Sequence, residues 1–270
     1  MGSPAAVIQL NSTSDEKANL EQAEALIRLA ADSGATFVAT PENTNYLGPH
    51  EEKVRRAQPL DGLVCGQFSD LARELRIHLL LGSFNEKGED PRRCFNTSVL
   101  FGPSGERLAV YRKMHLFDVD ISADTRFTES ATIEPGDRVV VVEADSMWIG
   151  LSICFDLRFS WLYGELRARG AELITVPSAF TARTGKDHWH ILLRARAIET
   201  QSWVMAPAQV GRHDDQGLRE SYGHALIVDP WGTVAADAGD TPGIAVAEIN
   251  LDRLREVRQA IPMQRAPARE

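Results

Sequence analysis

The run WIGLSICFDLRF, residues 148–159, passes from an apolar stretch into a charged turn, and its reading decides how the chain is built. Ile149 to Ile153 reads as a buried strand, and from Trp161 to Arg169 the apolar residues return at helical spacing. Between them stand Cys154, Phe155, Asp156 and Arg158. In α/β proteins the turn beyond a strand's C-terminal end commonly carries the site. Cys154 is therefore either a small hydrophobe closing a core strand or a nucleophile held at its edge.

The same alternation runs through the whole chain. Short β-rich runs include AAVIQL, ATFVAT, HLLLGSF, NTSVLF, RVVVVEA, ELITVPS, WVMAPAQV, ALIVDPWG and GIAVAEI. Between several of them, residues 16–31, 63–76, 161–169, 188–200 and 251–260 have helical period. In the first of these, Leu20, Ala23, Leu26, Ile27 and Ala30 share one face. FGPSGERLAVYRK and VDPWGTVAAD set Pro and Gly between strand-like runs and read as hairpins, so the sheets are partly antiparallel. Mixed sheets covered by helices predict a layered α/β sandwich. No linker, repeat or low-complexity tract divides residues 1–270, which are read as one domain. Residues 116–137 lack a clear period and read as a long functional loop after Lys113.

Composition narrows the partners. A formal net charge of −9 offers no broad basic surface, which argues against nucleic acid and anionic lipid. The cysteines, Cys65, Cys94 and Cys154, are too few and too scattered for a disulfide framework or a clustered zinc site, and a reducing cytosol fits them. MGSPAAVIQL has no leader-like basic and apolar segments, and no apolar run reaches membrane-spanning length. The expected location is the cytoplasm.

Two further residues share the placement of Cys154. In FVATPENTNYLG, Glu42 follows a strand that ends at Thr40 and Pro41; in LAVYRKMHLFDVDI, Lys113 follows another. Alone, the first reads as a solvated loop charge and the second as a surface lysine whose stem covers apolar surface. Together they offer a carboxylate, an ammonium and a thiol, each at the edge of a predicted strand. A free thiol, with a pKa of about 8.5, needs a positive charge or a base to act at neutral pH. Lys113 can supply the charge and Glu42 the base, so the set points to acyl transfer. His188 and His190, two apart on a helix, face different ways and make a poor metal pair; they read as packing or hydrogen-bonding residues.

In these motifs the chain resembles the nitrilase superfamily of carbon-nitrogen hydrolases, whose catalytic Glu, Lys and Cys occur in this chain order. VPSAFTARTGKDHWHILLRARAIETQSWVMAPAQVGRH and SYGHALIVDPWG resemble its Nit branch, which contains deaminated glutathione amidases and omega-amidases. The resemblance covers nearly the whole chain and implies a four-layer αββα sandwich, usually dimeric. Cys154-Phe155-Asp156 is closer to the Cys-Tyr-Asp of the amidase-like branches than to the Cys-Trp-Glu of true nitrilases or the Cys-Asn-Asp of carbamoylases.

What the resemblance implies is a cofactor-free amidase releasing ammonia from a small carboxylate-bearing substrate, deaminated glutathione first. The alternatives are an omega-amidase acting on 2-oxoglutaramate, a nitrilase, an N-carbamoyl amino acid hydrolase, or a silent relative that serves as a scaffold. Glu42 would be the base and Cys154 the nucleophile, with Lys113 and the Phe155 N–H stabilising the oxyanion. Glu129 would hold Lys113 and the substrate amide, Arg158 would clamp a substrate carboxylate, and Phe180 and Thr184 would line the acid's pocket. The chain departs from the pattern at Ser160-Trp161, where relatives carry Pro-Glu, and Glu165, one helical turn on, is the residue that could compensate.

Overall fold

The computed structural model describes residues 2–122, 125–213 and 220–263. Its strands form a nine-stranded sheet, a six-stranded sheet and a two-stranded ribbon. The main path of the larger sheet runs Glu220–Tyr222, Ala208–Arg212, Ser3–Leu10, Phe37–Ala39, His78–Lys87, Cys94–Phe101, Arg107–Arg112. The smaller runs Val234–Asp237, Leu226–Val228, Trp203–Ala206, Leu173–Thr175, Met147–Leu151, Val141–Ala144. Both are mixed. Ser3–Leu10, Phe37–Ala39 and His78–Lys87 pair in parallel, whereas Cys94–Phe101 and Arg107–Arg112 close an antiparallel hairpin, as do Leu226–Val228 and Val234–Asp237. These are the two predicted hairpins, and Gly105 and Gly232 meet the turns' demand for positive φ, at 83° and 87°.

Strand alternation builds the layers. Along Ser3–Leu10, Ala5 and Val7 join a core shared with Ile149 and Leu151 of the smaller sheet. Ala6, Ile8 and Leu10, on the opposite face, pack with Ala23 and Ile27 of helix Glu16–Asp32 and with Val64 and Phe68 of helix Leu63–Leu75. Leu80 is separated from Leu79 and Leu81 in the same way. On the outer face of the smaller sheet, Leu162 and Leu166 of helix Ser160–Ala168 and Trp189, Leu193 and Ala197 of helix Ala182–Thr200 complete the stack. Helices, sheet, sheet and helices give the four-layer αββα sandwich of the nitrilase type.

Three segments differ from the sequence reading. Residues 116–137 are not a structureless loop: Asp118–Ser122 pairs with Thr125–Thr128 as a ribbon, followed by a 3₁₀ turn at Glu129–Ala131. Residues 123 and 124 of that stretch lie outside the described residues. The helix expected from His188 begins at Ala182, because its first turns, ARTGKD, carry almost no apolar residue to reveal a period. A short helix, His50–Arg55, was also not foreseen, for the same reason. Among the described residues, no helix is long and apolar enough to cross a membrane.

Candidate active site

Three strand ends meet where the two sheets face each other. Glu42 follows Phe37–Ala39 by three residues, Lys113 directly follows Arg107–Arg112, and Cys154 follows Met147–Leu151. All three are buried, at 3%, 2% and 7% exposure, although Glu and Lys at loop positions are ordinarily solvated. The fourth member, Glu129, is buried on the 3₁₀ turn beyond the ribbon.

Their contacts form one network. Lys113 Nζ donates to Glu42 Oε1 at 2.9 Å and to Glu129 Oε1 and Oε2 at 3.1 and 2.9 Å. Asn96 Nδ2 donates to Glu42 Oε1 at 2.8 Å and reaches Glu129 Oε1 at 3.5 Å. The backbone N–H of Ala179 donates to Glu42 Oε2 at 2.8 Å, and that of Phe117 to Glu129 Oε2 at 2.6 Å. Every carboxylate oxygen therefore has a donor, as buried charges require.

The electrostatics follow from burial and pairing. Burial works against the Lys113 ammonium, but Glu129 and Glu42 outweigh it and hold its pKa above the ordinary lysine value. Burial likewise pushes Glu129 up, and Lys113 with Lys53 more than reverses this, leaving its carboxyl below the ordinary range. Cys154 goes the other way. Burial raises the thiol well above its ordinary value, Glu42 raises it further by charge and by accepting its hydrogen bond, and Lys113 only partly offsets them. The sequence reading gave Lys113 the task of charging the thiol; in the structure that charge is already spent on two carboxylates. Burial and the Glu42 carboxylate thus both favour the protonated form of the thiol.

Backbone geometry aims the sulfur. Cys154 takes φ of +47°, a left-handed conformation unfavourable for a residue with a Cβ, at the head of the 3₁₀ turn Cys154–Arg158. Asp156 holds this turn to the strand bearing Lys113. Its Oδ2 accepts from Tyr111 Oη at 2.6 Å and Ile153 N at 2.9 Å, and its Oδ1 accepts from His115 N at 3.0 Å and faces His115 Nδ1 at 2.7 Å. The Phe155 N–H lies among the turn's leading amides, which have no carbonyl within the turn to bond.

A narrow pocket opens over the sulfur, lined by the eight residues assigned to the site from the sequence: Glu42, Lys113, Glu129, Cys154, Phe155, Arg158, Phe180 and Thr184. Arg158 lies over the Phe180 ring, 5.0 Å from its centroid, with Nη1 3.3 Å from His188 Nδ1. Among the described residues no carboxylate pairs with it. Burial lowers its pKa from the ordinary arginine value.

The lining also includes Asn43, Phe117, Ala179 and Thr181, which the sequence reading missed, as it missed Asn96 behind them. Asn96, a polar residue inside the strand run CFNTSVLF, carried a usable signal; Ala179 contributes a backbone N–H and carried none. Lys53, in the charged run HEEKVRR, is 1% exposed and reaches Asn43 Oδ1 at 3.4 Å. Glu165 does not replace the glutamate absent after Phe159: it is half-buried and pairs with Arg169 at 3.6 Å, and Trp161 instead lies edge-on to His115. Cys65 and Cys94 are core residues, pushed up by burial to about 12 and about 11, away from this pocket.

The sequence model of the carbon-nitrogen hydrolase family matches residues 4–259. Deaminated glutathione amidase of Synechocystis sp. is 44% identical over 261 residues, 96% of this chain and 95% of that protein. Human omega-amidase is 39% identical over 262 residues, 96% of this chain and 93% of that protein. The crystal structure of the C. elegans NitFhit protein matches with a TM-score of 0.90 and 36% identity, over 97% of this chain and 65% of that longer one. Saccharomyces cerevisiae Nit3, a member of branch 10 of the nitrilase superfamily, matches at 0.86 and 31% identity, over 97% and 95%.

Proposed function

This chain belongs to the carbon-nitrogen hydrolase family and acts on amides, and from that premise we propose that it releases ammonia from the primary amide of a small carboxylate-bearing substrate, deaminated glutathione first. The observation that carries the substrate class is Arg158, a guanidinium on the pocket wall with no carboxylate partner among the described residues. A cation so placed favours a ligand carboxylate, which its planar fork can hold by two hydrogen bonds. Phe180 and Thr184 would line the acid end.

In the proposed reaction the Cys154 sulfur attacks the amide carbon as its proton passes to Glu42. This order suits a thiol whose own pKa is high: the base removes the proton as the bond forms, and no free thiolate accumulates. Lys113 and the Phe155 N–H stabilise the oxyanion, each such donor contributing about 3–4 kcal/mol to transition-state stabilisation. The C–N bond then breaks, Glu42 returns the proton to the departing ammonia, and a thioester remains on Cys154. Glu42 next deprotonates a water that attacks the thioester, and the thiol is restored as the acid leaves. Glu129 holds Lys113 and the substrate amide throughout. No metal or organic cofactor enters these steps.

Substrate trapping with intact-protein mass spectrometry tests this reading. A mass increase equal to the acyl group of deaminated glutathione, located on Cys154, is expected. Faster ammonia release from 2-oxoglutaramate would transfer the assignment to omega-amidase, and turnover of nitriles or N-carbamoyl amino acids alone would overturn it. Unchanged hydrolysis by Cys154→Ala would remove Cys154 as nucleophile and favour the scaffold alternative. We also propose a cytoplasmic homo-oligomer, at least a dimer, which light scattering of the purified protein would reveal as twice the chain mass or more.

A further inference from the structure

Behind the Phe180 wall of the pocket, two imidazoles and a carboxylate converge on residues the reaction does not use. His190 lies on helix Ala182–Thr200, His224 between strands Glu220–Tyr222 and Leu226–Val228, and Asp237 at the end of Val234–Asp237. His190 Nε2 is 3.0 Å from Asp237 Oδ2, and His224 Nδ1 is 3.0 and 3.2 Å from Oδ1 and Oδ2. One ligand-type atom from each residue lies within 4.8 Å of the other two. Atoms each about 2.0–2.2 Å from a single ion must be spaced on this scale.

The hydrogen-bond pattern around the cluster is informative. On the far side of its ring, His224 Nε2 is 3.0 Å from Asp240 Oδ1. An N–H donated there leaves Nδ1 as the nitrogen with the lone pair, aimed at Asp237. A lone pair and a carboxylate oxygen at that distance repel unless a positive charge lies between them, either a second proton or a metal ion. The Gly239 N–H donates to Asp237 Oδ1 at 2.8 Å, which orients the carboxylate and keeps Oδ2 turned to the imidazoles. An outer carboxylate fixing the tautomer of an inner histidine is the usual support of a metal-binding imidazole.

We propose that His190, His224 and Asp237 bind a divalent transition ion of the zinc class, with Asp240 supporting His224 from outside and water completing the coordination. Two imidazoles and one carboxylate suit such an ion, whereas calcium and magnesium favour all-oxygen surroundings. The ion braces the pocket wall and takes no part in the hydrolysis. Trp189, next to His190, donates its indole N–H to the His224 carbonyl at 2.8 Å and packs on Phe180 with ring centroids 5.1 Å apart. Tyr222 N–H donates to the Phe180 carbonyl at 2.9 Å. The ion thus ties the helix carrying Thr184 to the strands that back Phe180.

Chelator-stripped full-length protein titrated with zinc chloride in a calorimeter tests the site. Both the wild type and Cys154→Ala are used, so that zinc held by the active-site thiol is not counted. Cys154→Ala should bind one equivalent, gain thermal stability with zinc, and give cobalt(II) absorption bands for nitrogen and oxygen ligation. His190→Ala and Asp237→Asn, with circular dichroism unchanged, should lose all three responses, and Asp240→Asn should weaken binding about 10–100-fold. Should Asp237→Asn fail to fold, His190→Gln, at a partly exposed helix position, carries the comparison. Absence of saturable binding in Cys154→Ala, or equal binding in the His190 variants, overturns the proposal and leaves only a proton between the histidines and Asp237.

Discussion

Lys113 stands between two carboxylates, and that single arrangement fixes both the reactivity of the thiol and the pH range of the fold. Because Glu42 raises the Cys154 pKa by charge and hydrogen bond, Glu42→Gln should move the thiol's titration downward while hydrolysis falls about 10²–10⁴-fold. Ultraviolet thiolate absorbance against pH measures the first effect and ammonia release the second; a thiol pKa that rises in Glu42→Gln would contradict the assignment. Glu129 has its pKa depressed by Lys113, so its contribution to stability is complete above the unfolded carboxylate range, about pH 4–5, and is lost as pH falls towards the folded value. Lys113 is raised, so its contribution is complete below about pH 10 and is lost only in stronger alkali. Stability from this network is therefore flat around neutrality and declines in acid. Glu129→Gln leaves a buried ammonium with one carboxylate fewer. It should cost about 3–5 kcal/mol at pH 7 and reduce the acid decline, both read from urea unfolding at pH 7 and pH 4.

The turn Thr40–Glu42 can sit where it does because the neighbouring strand gives it room at Gly82. A Cβ on Gly82 would lie 1.8 Å from the Thr40 carbonyl oxygen and 2.4 Å from that of Pro41. Both are backbone atoms, so the turn and not a side-chain tip would have to move. Gly82→Ala is expected to cost about 1–3 kcal/mol by overpacking. It should also lower kcat about 100-fold, since an ångström of misplacement at a catalytic group has that scale. Activity at the wild-type level would show that Glu42 does not depend on this contact. Gly82 was visible in HLLLGSF, but its meaning was not, because the clash is with a segment some forty residues away in sequence. The same limit explains Asp156 and Lys53. In the sequence Lys53 is one more charge and Asp156 only part of a branch motif, and only packing shows that Asp156 joins the strand before Lys113 to the Cys154 turn. What the sequence did reveal was local: strand ends, Pro-Gly turns and helices with an apolar stripe. Elements without such a stripe, His50–Arg55 and the first turns of Ala182–Thr200, stayed hidden.

The proposed active site belongs to neither sheet alone. Glu42 and Lys113 follow strands of the nine-stranded sheet, and Cys154 and the Ala179 N–H lie on segments beyond strands of the six-stranded sheet, so these groups meet only when the two layers pack. Periodicity could predict mixed sheets under helices, but not this juxtaposition. Strands such as Leu173–Thr175 and Phe37–Ala39, three residues long, are too short for their pattern to say which sheet they join. The resemblance to a known family supplied the layering. A site built between layers should be lost when the layers part. Leu80 lies in the core between them, and Leu80→Ala should destabilise the protein by about 2–5 kcal/mol through the cavity it leaves. If residues 1–270 form one cooperative unit, urea curves followed by hydrolysis, tryptophan fluorescence and far-ultraviolet circular dichroism coincide, and in Leu80→Ala all three move together to lower urea. Hydrolysis lost at a urea concentration that leaves the circular dichroism intact would show that the sheets separate before they unfold, and would divide the chain into two folding units.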